Sequence, residues 1–214
     1  MAHELEQCLT RSLEQTNLSL GERPRGTLIH YVKLLVQWNR GYNLTSIRTP
    51  AEMVRRHILD CLVILPYLHG TRLLDVGTGA GLPGIIVAIA RPDLECVLLD
   101  GNGKKTRFCR QAAMELGLSN VKVLRLRVEK YAPKIPFGTV TARAFGDLPV
   151  LWNHARRLLA PGGRLLAMKG ARKGIDALGG LEGANSRTAA VIALTVPDLA
   201  EERHLVIVER ESFR

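Results

Sequence analysis

A glycine-rich segment at residues 75–84 constrains the fold of this chain more than any other feature. It reads DVGTGAGLPG, and its first two residues end the short apolar run RLLDV. Because glycine has no Cβ, a ligand can lie directly against the backbone, and positive φ angles are accessible at little cost. In open α/β sheets, ligands bind beside the carboxyl ends of strands, where such a loop would sit. The segment therefore predicts a strand, a ligand-binding turn and a helix in succession.

Apolar runs along the rest of the chain extend this pattern. Helix-like segments separate five runs, which are RLLDV (72–76), LECVLLD (94–100), VKVLRLR (121–127), TVTARAF (139–145) and RLLAMKG (164–170). Strands that alternate with helices predict a parallel sheet. The last two runs, 189–197 and 204–210, are joined by an acidic loop too short for a helical crossover, which predicts an antiparallel pair. We therefore expect an α/β fold with a seven-stranded, mostly parallel sheet.

The first 70 residues predict helices instead. Apolar residues recur there at three- and four-residue spacing on one helix face, namely Leu28, Tyr31, Leu35 and Trp38. Gly41-Tyr42-Asn43 interrupts this pattern, and Thr49-Pro50 resembles a helix start, with a second helix running to about Leu68. We predict a helical N-terminal cap at 1–70 and a second domain at 71–214, together forming one compact unit.

The order of residues in the glycine-rich segment indicates which ligand it binds. A dinucleotide fingerprint, GxGxxG, fits Gly77 and Gly79, but Leu82 stands at the third position, and no lysine follows to form a phosphate-binding P-loop. Asp100 ends the next apolar run, where a carboxylate can accept hydrogen bonds from both hydroxyls of a ribose. With the acidic motif D-x-G-x-G-x-G, this arrangement favours S-adenosyl-L-methionine over NAD, and hence a class I (Rossmann-like) methyltransferase.

Charge points to a polyanionic partner. The net charge is +10, and residues 71–143 contribute 12 basic and 6 acidic groups, a net +6, whereas the segments before and after contribute +2 each. A basic concentration of this kind favours nucleic acid. The four cysteines show no CxxC spacing, so we expect no metal site, and a reducing cytoplasm suits them. No stretch of about 18 apolar residues predicts a membrane span.

Eight motifs along nearly the whole chain resemble those of the glucose-inhibited division protein B (GidB, or RsmG) family. They are WNRGYNLTS (38–46), RHILD (56–60), LLDVGTGAGLPG (73–84), LLDGNGKKTRF (98–108), RVE (127–129), ARAF (142–145), KG (169–170) and RHLVIV (203–208). The resemblance implies an S-adenosylmethionine-dependent methyltransferase that acts on N7 of one guanine in the 530 loop of 16S ribosomal RNA. It implies the small ribosomal subunit, or an assembly intermediate of it, as partner.

The resemblance also implies site residues by position. The family's cofactor contacts fall on Gly77, Leu82, Val128, Glu129 and Arg143, to which the loop itself adds Asp75, Gly79, Gly81 and Asp100. The chain departs from the family pattern at Gly101-Asn102-Gly103, at Gly138 and at Ala142. These departures concern the surroundings of the second and fourth strands.

The chemistry of guanine N7 sets what the acceptor site needs. N7 carries an in-plane lone pair and no proton, so positioning and water exclusion can supply the catalysis without a general base. Arg143 is the candidate catalytic residue, because a guanidinium can donate to guanine O6 beside N7. Phe145 either stacks on the base or packs in the core. N7 lies in the narrow groove of A-form RNA, so the target must be a loop base or one drawn from its stack.

The candidate RNA contacts are basic. Four of them follow Asp100, namely Lys104, Lys105, Arg107 and Arg110, and the fifth is Lys169, near the end of the run at 164–170. Lys169 either faces the substrate or caps its strand. We expect structural roles for His57 and His204, and a monomer. Three alternatives stay open at this point: an NAD-dependent reductase, a methyltransferase of small molecules or proteins, and a non-catalytic RNA-binding module.

Overall fold

The seven strands form one sheet of mixed direction. In the computed structural model, which describes residues 2–170 and 186–212, the strand order is β3-β2-β1-β4-β5-β7-β6. The strands are β1 (Arg72–Val76), β2 (Glu95–Asp100), β3 (Val121–Arg125), β4 (Phe137–Arg143), β5 (Leu159–Lys169), β6 (Ser186–Leu194) and β7 (Arg203–Arg210). The first five run parallel, and β7 runs antiparallel to both β5 and β6. The predicted seven-stranded, mostly parallel α/β sheet is confirmed. The predicted second domain also includes 171–185 and 213–214, which lie outside the described residues.

Helices cover both faces of the sheet. They are α1 (Ala2–Glu14), α2 (Glu22–Tyr42), α3 (Pro50–Met53), α4 (Asp60–Leu62), α5 (Gly84–Ala90), α6 (Gly103–Glu115) and α7 (Leu148–Ala155). Alternate strand residues face two hydrophobic clusters, one built with α1 to α6 and the other with α7. Burial on both faces explains why β1 and β2 are continuous apolar runs rather than alternating ones.

The N-terminal helices share a core with the sheet. Leu9 of α1 and Leu28 and Tyr31 of α2 are fully buried in the cluster that also contains Ile85 of α5 and Phe108 of α6. Helix α2 ends at Tyr42, and Asn43 adopts a left-handed conformation with φ of 48°. The predicted first helix and its interruption are therefore confirmed. The helical cap is one wall of the protein's main core.

The predicted second helix, from Thr49 to about Leu68, is not uniform. After α3, residues Val54–Leu59 form a π-helix, α4 follows, and a separate 3-10 turn spans Leu65–Tyr67. The 3-10 turn contains Pro66, whose missing N–H cannot continue an α-helix. In the π-helix, the Arg56 carbonyl accepts a tertiary hydrogen bond from Arg143 Nη1 at 3.1 Å. Such one-turn widenings occur frequently at functional sites.

Gly138 is explained by close packing. A Cβ there would lie 2.5 Å from the carbonyl oxygen of His69, so no larger residue fits while the turn before β1 stays in place. Strand β4 therefore passes directly against the 69–70 backbone. It ends at Arg143, two residues earlier than expected, because Ala144 adopts a left-handed conformation with φ of 58°. This turn sends the following residues across the carboxyl edge of the sheet.

Candidate cofactor and acceptor site

Asp75 sets the shape of the glycine-rich loop from beneath. Its carboxylate is fully buried and accepts hydrogen bonds from Thr78 Oγ1 at 2.5 Å, Gly84 N at 2.9 Å and Thr141 Oγ1 at 3.2 Å. Burial raises the pKa of Asp75 to about 6, although these hydrogen bonds act in the opposite direction. Its side chain ties β1, β4 and the start of α5 together. Asp75 therefore organises the loop and lies outside the lining of the neighbouring cavity.

The glycines of the loop serve different purposes. Gly77, Gly79 and Gly81 all have positive φ, of 66°, 59° and 86°. A Cβ on Gly77 would meet no protein atom within 4 Å, whereas a Cβ on Gly81 would lie 2.4 Å from Ile85 Cδ1. Gly81 therefore allows α5 to pack closely, and Leu82, which is 3% exposed, belongs to the core. Of the predicted loop contacts, Gly77 faces open space.

Helices α2 and α6 contact two carbonyl groups of the glycine-rich loop, those of Ala80 and Gly79. Tyr31 of α2 is fully buried, and its hydroxyl donates to the Ala80 carbonyl at 2.6 Å. Burial raises the pKa of Tyr31 well above its usual value, so the hydroxyl remains a donor. Cys109 Sγ of α6 contacts the Gly79 carbonyl at 3.4 Å. The N-terminal cap thus contributes directly to the conformation of the glycine-rich loop.

A cleft of about 160 Å³ opens beside Gly77 at the carboxyl ends of β1, β2 and β3. Its lining comprises Val76, Gly77, Leu99, Asp100, Gly101, Leu126, Arg127, Val128, Glu129 and Phe145. Asp100 accepts hydrogen bonds from Gly79 N at 3.0 Å and from Asn102 N at 2.7 Å, which fixes its carboxylate in the wall. A backbone surface without Cβ, a carboxylate and apolar side chains fit the nucleoside part of S-adenosylmethionine.

Val128 and Glu129 enter this cleft on a 3-10 turn, Val128–Lys130. Arg157, which follows α7, donates hydrogen bonds to the Val128 carbonyl and, at 2.9 Å, to the Tyr131 carbonyl. Sequence reasoning did not identify Arg157, because its contacts are with the backbone and leave no pattern of residue types. Its effect is to fix the turn that carries two predicted cofactor contacts.

A second cavity, of about 510 Å³, lies at the ends of β4 and β5. Its lining comprises Thr45, Ser46, Ile47, Arg56, His57, Asp60, Arg143, Ala144, Met168, Lys169, Gly170, Leu194, Arg203 and His204. Four of these residues are arginine or lysine and one is aspartate, so its wall is cationic overall. Residues 144–145 separate the two cavities, since Ala144 lines the second and Phe145 lines the first. Arg143, predicted at the mouth near methyl group or substrate, lines the second cavity.

Lys169 lines the second cavity and also binds the segment between the cavities. Its Nζ atom donates to the carbonyls of Phe145 and Gly146, both at 2.8 Å. Burial lowers its pKa from the ordinary value, and Asp147 opposes that shift. Lys169 therefore lines the second cavity while holding the loop after β4, a contact that the sequence did not predict.

The four basic residues of α6 do not line the first cleft, although the helix begins just after Asp100 and Gly101, which do. Lys104, Arg107 and Arg110 are exposed and Lys105 is half-buried, while Arg110 Nη2 reaches the Val123 carbonyl at 3.5 Å. Two departures from the family pattern belong here. A Cβ on Gly101 would lie 3.3 Å from Arg127 Cγ, and one on Gly103 would lie 3.0 Å from Arg125 Cζ. Glycine at both positions lets Arg127 and Arg125 lie against the backbone just before α6 and at its first residue.

Comparison with known proteins adds a family to this geometry. The model of the GidB family, described as rRNA small subunit methyltransferase G, matches residues 25–206. The chain is 50% identical over 198 residues to ribosomal RNA small subunit methyltransferase G of Alkalilimnicola ehrlichii, covering 92% of this chain and 89% of the relative. It is 47% identical to the protein of that name from Yersinia enterocolitica, covering 92% and 95%.

Solved structures share the fold at lower sequence identity. Cofactor-bound Rv0187 from MTB superposes with a TM-score of 0.62 at 19% identity, covering 95% of this chain and 97% of that one. An SAM-dependent O-methyltransferase from Thermotoga maritima gives 0.60 at 14% identity, covering 84% and 72%. The fold is therefore that of class I methyltransferases. Within residues 2–170 and 186–212, no helix is long and apolar enough to span a membrane, and no cluster of metal-ligating side chains occurs.

Proposed function

We propose that this chain, which belongs to the GidB family of small-subunit ribosomal RNA methyltransferases, methylates N7 of one guanine in the 530 loop of 16S ribosomal RNA. Its methyl donor is S-adenosyl-L-methionine, in keeping with the family and the fold. The observation that carries the proposal is the 50% identity, across most of both chains, to a ribosomal RNA small subunit methyltransferase. The partner is the small ribosomal subunit or an assembly intermediate of it, and the protein acts on it as a monomer in the cytoplasm.

In this proposal the first cleft holds the methyl donor. Gly77 provides backbone without a side chain, Asp100 accepts from the ribose, and Val128 and Glu129 contact the base. Asp75, Gly79, Gly81 and Leu82 shape the loop from behind. Bound S-adenosylmethionine supplies an electrophilic methyl group on its sulfonium sulfur.

The second cavity takes the acceptor base in the same proposal. A purine drawn from an RNA loop fits a cavity of about 510 Å³, and Arg143 in its wall can donate to guanine O6. Lys169 holds the carbonyl of Phe145, which lies beside both cavities, and this wall would help to exclude water while N7 and the methyl group meet directly. The catalytic contribution of Arg143 is thus orientation of the N7 lone pair toward the methyl group.

The titratable groups nearby suit an acceptor that needs no deprotonation. Burial, followed by the charge of Arg143, lowers the pKa of His57 to about 4. His57 is therefore neutral near pH 7 and too weakly basic to act as an efficient general base. Burial raises the pKa of Cys96 to about 12, and raises those of Cys61 and Cys109 further. Guanine N7 has no proton to remove, so the site matches its chemistry.

RNA phosphates would bind around both cavities. Helix α6, which carries four of the proposed cations, begins directly after Asp100 and Gly101 of the first cleft, and Lys169 lines the second cavity. Each phosphate contact releases counterions, so these residues supply affinity rather than sequence selection. The proposed contacts are Lys104, Lys105, Arg107, Arg110 and Lys169.

Transfer of labelled methyl groups to ribosomal subunits tests this function. Small and large subunits are prepared from cells that lack the protein and incubated with it and labelled S-adenosylmethionine. The proposal predicts stoichiometric labelling of 16S RNA in small subunits and none of large subunits. A Gly77→Val variant is the matched inactive control. Labelling of ribosomal proteins or of 23S RNA alone would refute the proposal.

A further inference from the structure

Asp60 is a buried carboxylate shared between two arginines of different strands. Its Oδ2 atom lies 3.3 Å from Arg143 Nη1 at the end of β4, and its Oδ1 atom lies 3.0 Å from Arg203 Nε at the start of β7. Asp60 is 4% exposed, and all three residues line the second cavity. Removing either partner of such a pair would leave an uncompensated charge in or beside the protein interior, which is strongly destabilising.

The segment that carries Asp60 contacts the Arg143 guanidinium at two further residues, of which only Arg56 accepts a hydrogen bond from it. The Arg56 carbonyl accepts from Arg143 Nη1 at 3.1 Å, and His57 Nδ1 lies 3.4 Å from the same nitrogen. Both residues belong to the π-helix Val54–Leu59, and Asp60 follows it directly. The RHILD motif, residues 56–60, therefore surrounds one guanidinium with a carbonyl, a ring and a carboxylate.

Hydrogen bonds fix the ring of His57 from the opposite side. Thr45 Oγ1 accepts from Ile47 N at 3.1 Å, so its own hydrogen is free to go to His57 Nε2, 2.9 Å away. This assignment leaves the hydrogen of His57 on Nδ1, which donates to the Arg56 carbonyl at 2.9 Å. Asn39, which is 3% exposed, holds Thr45 through two backbone hydrogen bonds, each of 3.0 Å. The WNRGYNLTS motif thereby supports the RHILD motif.

Two guanidiniums beside one cavity would repel each other without a shared anion. Asp60 supplies that anion and engages each guanidinium through a different oxygen, which leaves other N–H groups of Arg143 available to the cavity. We infer that Asp60 is a positioning residue, which holds Arg143 at the orientation needed to donate to the acceptor base. This inference rests on the proposed function, since it assigns a role in the same acceptor site.

A double-mutant cycle on methyl transfer tests the inference. Single-turnover rates on small subunits, at saturating S-adenosylmethionine, are compared for the wild type, Asp60→Asn, Arg143→Ala and the double variant. Asp60→Asn keeps the shape and removes the charge. We expect it to slow transfer at least tenfold, with unchanged affinity for S-adenosylhomocysteine, because the first cleft is untouched. In the Arg143→Ala background the same change should cost less than twofold, since the group it positions is already gone.

Glu201→Gln is the matched control. Glu201 is a carboxylate on an exposed loop that pairs with Arg56 near the same cavity, and its removal should change the rate less than twofold. If Asp60→Asn does not fold, judged by urea unfolding, Arg203→Gln replaces it in the cycle, with a smaller expected loss that again disappears in the Arg143→Ala background.

Losses that multiply in the double variant, or a wild-type rate in a folded Asp60→Asn, would overturn the inference while leaving the proposed function intact. Absence of transfer by the wild-type protein would overturn the proposed function, and the inference with it. Reduced affinity for S-adenosylhomocysteine in Asp60→Asn would contradict a role confined to the acceptor side.

Discussion

Replacing Gly77 by alanine separates backbone strain from ligand exclusion. Gly77 has φ of 66° and Gly117, at the far end of α6, has φ of 65°, and a Cβ at either position meets no protein atom within 4 Å. An alanine in this left-handed region costs about 1 kcal/mol, so both variants should lose that amount of stability. For a chain of this size the loss corresponds to a decrease of about 3 °C in Tm.

Affinity for the methyl donor should distinguish the two variants. Gly77 lines the first cleft, and its added Cβ would occupy space that the ligand needs, whereas Gly117 follows the C-terminal end of α6 and does not line the cleft. We expect Gly77→Ala to weaken S-adenosylhomocysteine binding about tenfold, equal to about 1.4 kcal/mol. Gly77→Val, with two more carbons, should weaken it further.

Isothermal titration calorimetry gives Kd, and urea unfolding of the same samples gives stability. We expect equal stability losses in Gly77→Ala and Gly117→Ala, and a loss of affinity in the Gly77 variants alone. An unchanged Kd in folded Gly77→Ala would show that the ligand does not contact this backbone. An equal loss of affinity in Gly117→Ala would show that strain alone accounts for the effect.

Three further predictions concern the cap, the RNA surface and the pH dependence. Tyr31→Phe removes the hydrogen bond to the glycine-rich loop and should weaken S-adenosylhomocysteine binding several-fold; Tyr42→Phe, on the same helix, should not, and equal Kd values would contradict the role of the cap. Single-turnover methylation should be flat between about pH 6.5 and 8.5, because the pKa of His57 is lowered to about 4; a steep profile abolished by a His or Cys substitution would refute this. A triple alanine variant of Lys104, Lys105 and Arg107 should bind RNA with a weaker salt dependence, so that the magnitude of the slope of log K against log salt decreases by about 2. Its Kd for S-adenosylhomocysteine should not change. An unchanged slope would exclude phosphate contacts by these residues.

The sheet was predictable from sequence because central strands such as β1 and β2 are buried on both faces. Runs such as RLLDV and LECVLLD have no polar alternation, and helix-like segments between them leave the parallel arrangement as the simple solution. The antiparallel pair at the end followed from the short connection before residue 204. The π-helix at Val54–Leu59 was not predictable, and the hydrogen bond that its Arg56 carbonyl accepts comes from Arg143, which is too far along the chain to leave a local signal.

The glycine-rich loop shows where residue patterns stop being informative. Gly77 and Gly81 look alike in sequence, yet one leaves space open beside the cleft and the other lets Ile85 approach. Asp75 carries a charge that suggests a ligand contact, but its three hydrogen-bond donors all come from the protein. A sequence identifies the need for glycine or for a carboxylate, whereas only packing shows which atoms require it.

The acceptor site was predictable only in part, for a similar reason. Arg143 followed from the family motif, but Asp60 and Arg203 contact each other across 143 positions of the chain. Asp60 belongs to the family motif RHILD and Arg203 to the family motif RHLVIV, and no function had been assigned to either residue. Their presence in these motifs was the signal that could have identified them. An aligned set of relatives in which Asp60, Arg143 and Arg203 vary together would have supplied it.

Position-resolved detection of 7-methylguanosine in 16S RNA tests the central claim most directly. Methylation at N7 makes the glycosidic bond sensitive to reduction followed by aniline, which cleaves the RNA strand at the modified base. Small subunits from cells lacking the protein are compared before and after incubation with the purified protein and S-adenosylmethionine. The account predicts one new cleavage site, at a guanine of the 530 loop, which the Arg143→Ala variant produces slowly. Methylation of another atom, or of a guanine in a paired helix outside that loop, would contradict it.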